Sequence, residues 1–162
     1  MSSEQTKKSK KIKREKSKEQ KISEDCHSFL EELKNACFAD HENNKKSLPS
    51  LNRLSLLENV NIYLNSKKRQ EILLDNGLLD ILKMWLEPMP DYTLPNIQIK
   101  KTVLENLYNM PITKTHLLNS SIGKIVHFYS KNARESSDVQ HLAKNVMKKW
   151  TNIVFEKDED DS

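Results

Sequence analysis

The scarcity of glycine limits what this chain can fold into more than any other feature of its sequence. Only two glycines and five prolines occur in 162 residues. A β-rich fold needs a tight turn between most strands, and glycine supplies the left-handed backbone that many of those turns require. The sequence therefore predicts an all-α fold in which helices are joined by short loops.

Apolar residues recur with the helical period along segments that are separated by polar or proline-containing breaks. The clearest break is the stretch 87–95, which contains three prolines. Asn76-Gly77 lies between two helical patterns, so it indicates a helix end and a restart, not a hairpin. These patterns predict seven or eight short helices and no strand. Their expected N-caps or first residues are Ser23 or Asp25, Ser50, Pro95, Thr113, Ser121 and Ser137.

Charge divides the chain into three parts. Residues 1–21 hold nine Lys or Arg against three acidic residues, which predicts a disordered basic arm. Residues 156–162 hold five acidic residues against one Lys, which predicts an acidic disordered tail. Residues 22–155 form the helical domain, and their net charge is only +2. The polarity of the chain is therefore concentrated in its ends.

The arm contains a compact basic cluster at Lys10, Lys11, Lys13 and Arg14. Such a cluster is typical of a nuclear localisation signal or of a patch that contacts phosphates, and a simply solvated tail is an equal alternative. No apolar run approaches the roughly 20 residues that cross a bilayer. The two cysteines fit a reducing compartment. We therefore expect a nuclear or cytosolic protein.

Patterns that carry catalysis or metal binding are incomplete. Cys37 and His41 lie four residues apart and could face one ion, but two further ligands at metal spacing are missing. The string 121–124 echoes the end of a phosphate-binding loop, yet Leu118 stands where the first glycine is required. We therefore expect no enzymatic activity, no metal and no cofactor.

The segment 121–131 contains the best candidate for a binding site. Phe128 lies about 100° from the centre of the apolar stripe of this helical pattern, and Lys124 and Lys131 flank it. A partly exposed phenylalanine between lysines is suited to an acidic-apolar peptide. Alternatively, Phe128 packs under a neighbouring helix. His127 is a further candidate for a partner contact.

Two candidate contact residues lie in other segments. Trp85 belongs to a strongly apolar helical pattern, where a core position is favoured over a partner contact. Arg53 is set among leucines, and its guanidinium could reach an acidic partner or extend into solvent.

Several strings of the sequence resemble the conserved core of the Iws/Spn transcription elongation factors. The string WLEPMPDYTLPN at 85–96 is the most specific of them. The other matching strings are LLDNGLL at 73–79, MPI at 110–112, SSIGKIV at 120–126 and the closing block at 143–155. Together they cover about residues 26–155 in order.

This resemblance implies a single all-α domain, a right-handed helical bundle or superhelix related to the N-terminal (LW) domain of elongation factor TFIIS. It also implies a non-catalytic nuclear protein that binds a short acidic-apolar N-terminal segment of the histone chaperone Spt-six and couples it to elongating RNA polymerase II. Lys124 and Phe128 match the family's groove, with Arg53 on a nearby helix. We expect a monomer in isolation. The alternative function is weak binding of nucleic acid or nucleosomes through the basic arm.

Overall fold

The computed structural model describes residues 3–156, with side chains described from residue 17 onward. This part of the chain consists of nine α-helices and contains no strand, so the predicted all-α fold is confirmed. The helices are α1 (Ser3–Lys45), α2 (Asn52–Ser55), α3 (Leu57–Leu64), α4 (Lys67–Asp75), α5 (Leu78–Leu86), α6 (Ile97–Asn109), α7 (Lys114–Leu118), α8 (Ile122–Lys131) and α9 (Ser137–Phe155).

Helix α1 differs most from its prediction. It begins at Ser3, where the sequence predicted a disordered arm and a helix start only at Ser23 or Asp25, and it ends at Lys45. Lys, Glu and Gln dominate its first turns and are good helix formers, a propensity that does not require apolar residues. Residues 1–2 and 157–162 lie outside the described residues, as do the side chains of Lys10, Lys11, Lys13 and Arg14. Disorder in the acidic tail stays a prediction.

The core is centred on α5, in which six of nine residues are buried. Helices α1, α4, α6 and α8 all pack against it. Trp85 is fully buried there, and its indole Nε1–H donates a hydrogen bond of 2.9 Å to the carbonyl of Leu33 in α1. Helix α9 then packs along α6 and α8 and completes the second half of the domain.

Most predicted helix ends are close to the observed ones. Gly77 has φ +93° between α4 and α5, which is the helix end and restart that the sequence predicted. Thr113 caps α7 by accepting from the backbone N–H of His116. Helix α6 begins at Ile97 with Asn96 as its cap, so Pro95 precedes the helix and does not lie in its first turn. Ser136, not Ser137, caps α9. Both errors are small, because each segment offers two adjacent residues that are suited to a helix start.

Candidate functional site

Helix α8 has one buried side and one exposed side. Ile122, Val126 and Tyr129 are buried at the spacing of an apolar stripe, so the opposite side of the helix faces solvent. That side consists of Lys124, His127, Phe128 and Lys131, and we call it the α8 outer face. Lys124, Phe128 and Lys131 follow one another at i, i+4 and i+7, so they form one row. The structure therefore brings together four of the predicted site residues.

Phe128 is exposed in the centre of this row. Its side chain is 43% exposed, so it does not pack under a neighbouring helix. The rings of Phe128 and Tyr129 pack edge to face, with centroids 5.4 Å apart and an angle of 68° between their planes. This contact holds the Phe128 ring while leaving much of its surface in water. The α8 outer face thus presents an apolar side chain between two lysines.

Tyr129 fixes α8 to the rest of the domain. Its hydroxyl donates to the carbonyl of Leu86 at the end of α5. Burial, and secondarily the carboxylate of Glu135, raise the pKa of Tyr129, so the hydroxyl stays protonated as a donor. Lys100 of α6 lies 2.8 Å from both carboxylate oxygens of Glu135 in the loop after α8. These contacts hold the α8 outer face on a rigid support.

Arg53 does not lie on a surface, and the two outward positions predicted for it are wrong. Its side chain is 2% exposed, and its Nε lies 2.7 Å from Oδ2 of Asp40, which is completely buried. Nη1 donates to the carbonyl of Trp85 at 2.9 Å, and Nη2 contacts the sulfur of Met89 at 3.0 Å. The guanidinium is bound inside the domain because α1 places the buried carboxylate of Asp40 beside it. We call Asp40, Arg53, Trp85 and Met89 the buried junction.

Asp40 is the residue of this junction that the sequence reasoning missed. Burial raises its pKa, but the Arg53 guanidinium, the backbone N–H groups of Asn52 and Arg53 and the Asn52 side chain outweigh burial, so the net pKa is lowered. A signal was present in the sequence. Asp40 continues the apolar stripe of α1 at three residues past Cys37, and an acidic residue in such a stripe requires a buried cationic partner.

Trp85 belongs to the core, as the favoured interpretation of its segment predicted. Its side chain is fully buried and its indole N–H is already paired with α1. A partner could reach neither Trp85 nor Arg53 without displacing α1 or α5. The candidate partner-binding residues that lie on the surface are therefore Lys124, His127, Phe128 and Lys131.

A separate groove of about 720 Å³ lies between the α4–α5 turn and α7. Glu71, Asp75 and Asp80 give it an acidic wall, and His116 Nε2 lies 2.9 Å from Oδ1 of Asp75 across it. Ser120 donates to Asp80 at 2.9 Å. The groove contains none of the predicted site residues, and its polar groups are partly satisfied by one another.

The described side chains offer little to a metal ion. Within residues 17–156 no three His, Cys, Asp or Glu side chains are grouped as they would be around an ion. Cys37 Sγ lies 3.7 Å from His41 Nε2, and burial raises the pKa of this thiol to about 11. The thiol is therefore protonated at neutral pH. No helix in the described part is both long and apolar enough to cross a membrane.

Comparison with known proteins agrees with this architecture. Residues 102–154 match the family model Med26, a TFIIS helical bundle-like domain. The chain is 33% identical over 128 residues to transcription factor IWS1 of Yarrowia lipolytica, which covers 79% of this chain and 31% of that protein. It is 32% identical over 114 residues to transcription factor SPN1 of Saccharomyces cerevisiae, covering 70% of this chain and 28% of that protein. The chain thus spans about a third of the length of these relatives.

A solved structure extends the similarity to the whole fold. A chain in the crystal structure of an Spt6–Iws1(Spn1) complex from Encephalitozoon cuniculi superposes with a TM-score of 0.79 and 42% sequence identity. The match covers 83% of this chain and 98% of that chain. Identity at this level over nearly the complete solved domain, with the same helical bundle, shows that the chain belongs to the Iws1/Spn1 family of transcription factors.

Proposed function

We propose that this chain is a non-catalytic transcription elongation factor that acts in the nucleus. In this proposal it binds a short N-terminal segment of the histone chaperone Spt6, the Spt-six partner implied by the resemblance, and couples it to elongating RNA polymerase II. Two findings support it: membership of the Iws1/Spn1 family, and similarity to a chain from a solved Spt6–Iws1(Spn1) complex. The observation that carries the proposal is the exposed Phe128 between Lys124 and Lys131 on a rigid helix.

Phe128 is the expected anchor for the segment. Aromatic side chains bury on the order of 150–250 Å². Covering the exposed 43% of Phe128 would remove on the order of 80 Å² from water, worth about 2 kcal/mol. That amount is typical of a side chain that dominates an interface. An apolar residue of the Spt6 segment is its natural counterpart.

The lysines of the α8 outer face determine which apolar segments are accepted. Lys124 and Lys131 are exposed, and neither forms an ion pair with any other described residue. Acidic residues that flank the apolar anchor would approach them on both sides. Exposed ion pairs contribute little affinity, but they accelerate encounter and disfavour basic segments. Binding should therefore weaken moderately with salt while the apolar contact persists.

Rigidity of the α8 outer face also supports this function. A short segment that is disordered when free loses conformational entropy on binding, so a binding surface that is already ordered limits the total cost. The hydroxyl of Tyr129 and the pair between Lys100 and Glu135 hold α8 in place without any partner. Phe128 is therefore positioned before binding.

The test is a titration of the full chain with a peptide from the N-terminal region of Spt6 that contains acidic and aromatic residues. Phe128→Glu should weaken binding by about 30-fold or more, since it replaces an anchor worth about 2 kcal/mol with a charge. Phe38→Glu is the matched control, because Phe38 is also an exposed phenylalanine, at 54%, but lies on α1 and not on α8. Its affinity should stay within twofold of the original protein. Equal effects of the two substitutions, or no effect of Phe128→Glu, would reject the α8 outer face as the site.

The proposal also includes action in the nucleus and association with RNA polymerase II. Chromatin immunoprecipitation of a tagged chain along transcribed genes tests both. The original protein and Phe38→Glu should be enriched over transcribed regions, while Phe128→Glu should lose most of that enrichment. Enrichment of all three proteins to the same level would show that association with polymerase does not require the α8 outer face.

A further inference from the structure

The two glycines of the chain have different backbone conformations. Gly77 has φ +93° at the turn between α4 and α5, where any other residue would be strained. Gly123 is the second residue of α8 and has ordinary helical backbone. A Cβ atom added at Gly123 would meet no other atom within 4 Å. Backbone conformation therefore explains the first glycine, whereas neither conformation nor packing within the described residues explains the second.

A glycine at position 123 is unfavourable for the helix that contains it. Glycine loses more conformational freedom on folding than any other residue, and only proline is a poorer helix former. Alanine would fit into the open space at this position and would favour α8. The missing side chain at Gly123 therefore points to a contact outside the described part of the chain.

Gly123 lies beside residues of the α8 outer face. It precedes Lys124 in the sequence, and His127 follows it one turn later, at i+4. Lys124 and His127 are exposed, and Gly123 itself is half-buried. We call the space over Gly123, bounded by Lys124 and His127, the Gly123 notch. The notch is a gap in the side chains at the N-terminal end of the α8 outer face.

The floor of the notch is polypeptide backbone. A helical side chain leans toward the N-terminus and covers the turn before its own Cα, so the absence of a side chain at Gly123 uncovers the first turn of α8. The side chain of Ser121 forms no capping hydrogen bond there. The backbone N–H of Gly123 donates to no other described residue. The notch therefore presents a hydrogen-bond donor that a side chain at position 123 would partly cover.

The polar floor determines what can enter the notch. An apolar side chain would take the N–H of Gly123 out of water without replacing its hydrogen bond, which is unfavourable. A peptide carbonyl supplies the missing acceptor, but it must come within about 2.9 Å of the nitrogen. Glycine permits such a close approach by another backbone, because it has no Cβ atom.

We infer that the Gly123 notch receives the backbone of the Spt6 segment that the α8 outer face binds, so that Gly123 is a specificity-determining residue of this interface. A carbonyl of the segment accepts from the N–H of Gly123, and an apolar side chain of the same segment covers Phe128. Phe128 lies five residues further along α8, which is about 7.5 Å along the helix axis. An extended stretch of about four or five residues spans both contacts. This inference rests on the proposed function and specifies where the bound backbone crosses the helix.

The first test uses nuclear magnetic resonance of the full chain labelled with ¹⁵N only at glycine. Because the chain has two glycines, the labelled protein gives two backbone amide signals, and Gly123→Ala assigns them by removing one. The Spt6 peptide used to test the proposed function should shift the signal of Gly123. Gly77 is the internal control, since it lies at the α4–α5 turn and its signal should stay in place.

The second test measures the affinity of variants for the same peptide. Gly123→Ala should bind at least about fivefold more weakly, because the added methyl group opposes a close contact, and Gly123→Leu should bind more weakly still. The Tm of Gly123→Ala should be equal to that of the original protein or higher by about 2 °C, because alanine favours the helix. Thr151→Ala is the matched control, an exposed poor helix former on α9, and its affinity should stay within about twofold.

Three results would overturn the inference. The first is that Gly123→Ala binds within twofold of the original protein. The second is that the Gly123 signal stays in place while the peptide binds. The third is a lower Tm for Gly123→Ala, which would show that the fold itself requires this glycine.

The same measurements distinguish this inference from the proposed function. If Phe128→Glu loses binding while Gly123→Ala retains it, the proposed function stands and only the role of Gly123 is wrong. If the original protein does not bind the peptide, both are wrong.

Discussion

The buried junction and the α8 outer face contain cations of the same apparent type in opposite environments. The sequence predicted Arg53 and Lys124 alike as contacts for an acidic partner. Arg53 is 2% exposed and binds Asp40 at 2.7 Å, whereas Lys124 is exposed and unpaired among the described residues. One charge has its partner within the chain, and the other is free to meet a partner from outside.

The difference shows that the environment of a charge decides its role. A buried charge must be neutralised inside the domain, so Asp40 and Arg53 depend on each other and on the packing of α1, α2 and α5. An exposed lysine is hydrated and places no such demand on its neighbours. Changes in the buried junction should therefore alter stability, while changes on the α8 outer face should alter binding.

Arg53→Met should cause the largest loss of stability. It would leave the Asp40 carboxylate buried without its cation, and removing one partner of a buried pair costs about 3–5 kcal/mol. Urea unfolding monitored by circular dichroism measures this free energy. Lys45→Met is the control, because Lys45 pairs with Glu42 in solvent and should contribute less than about 0.5 kcal/mol.

A double variant sharpens this prediction. Asp40→Leu combined with Arg53→Met removes both charges, so its loss should be smaller than the sum of the two single losses. A double variant whose loss equals that sum would show that the two charges do not interact, and the contrast with Lys124 would disappear.

Acidification should remove a smaller part of the same stability. The pKa of Asp40 is lower in the folded chain than in the unfolded one, so its contribution is fully present above the unfolded value of about 3.9. The contribution is lost as pH falls through the lower folded value. Unfolding at about pH 6 and pH 3 should show a larger acid loss for the original protein than for Asp40→Asn. Equal losses would show that protonation of Asp40 does not account for the acid-induced loss of stability.

Much of the fold follows from local signals in the sequence. Few glycines, apolar residues at helical spacing and the restart at Gly77 were sufficient to predict helices close to the observed α5 to α9. The length of α1 was missed because helix propensity in a charged segment leaves no apolar pattern. The division into α2 and α3 was missed because one apolar pattern runs through both.

The candidate site was predictable only where one helix contains all of it. Lys124, Phe128 and Lys131 follow one another at i, i+4 and i+7 on α8, so helical spacing alone places them side by side. Arg53 required knowledge of Asp40, which is thirteen residues away in another helix. Burial of a charge depends on contacts between helices, and helical spacing within one segment does not specify them. The exposure of Phe128 was left open for the same reason.

Tyr129→Phe should have an intermediate effect on stability. It deletes the hydroxyl that donates to the buried end of α5 at Leu86, and an unsatisfied buried acceptor costs about 1–2 kcal/mol. Tyr108→Phe is the control, since Tyr108 is 43% exposed and should lose less than about 0.5 kcal/mol. Spt6-peptide affinity of Tyr129→Phe should also fall slightly, because α8 would be held less firmly. Full stability would show that α8 is fixed mainly by apolar packing.

Phe128→Glu should have the smallest effect on folding, although its effect on binding is expected to be large. The side chain is partly in water and its loss leaves no cavity, so stability should change by less than about 0.5 kcal/mol. The introduced carboxylate would also lie one turn from Lys124 and Lys131, where pairing offsets part of the lost contact with Tyr129. A loss above about 2 kcal/mol in urea unfolding would place Phe128 with the core residues. Weaker peptide binding by this variant would then be explained by unfolding. Phe128 could no longer be distinguished from the residues of the buried junction, which stabilise the fold.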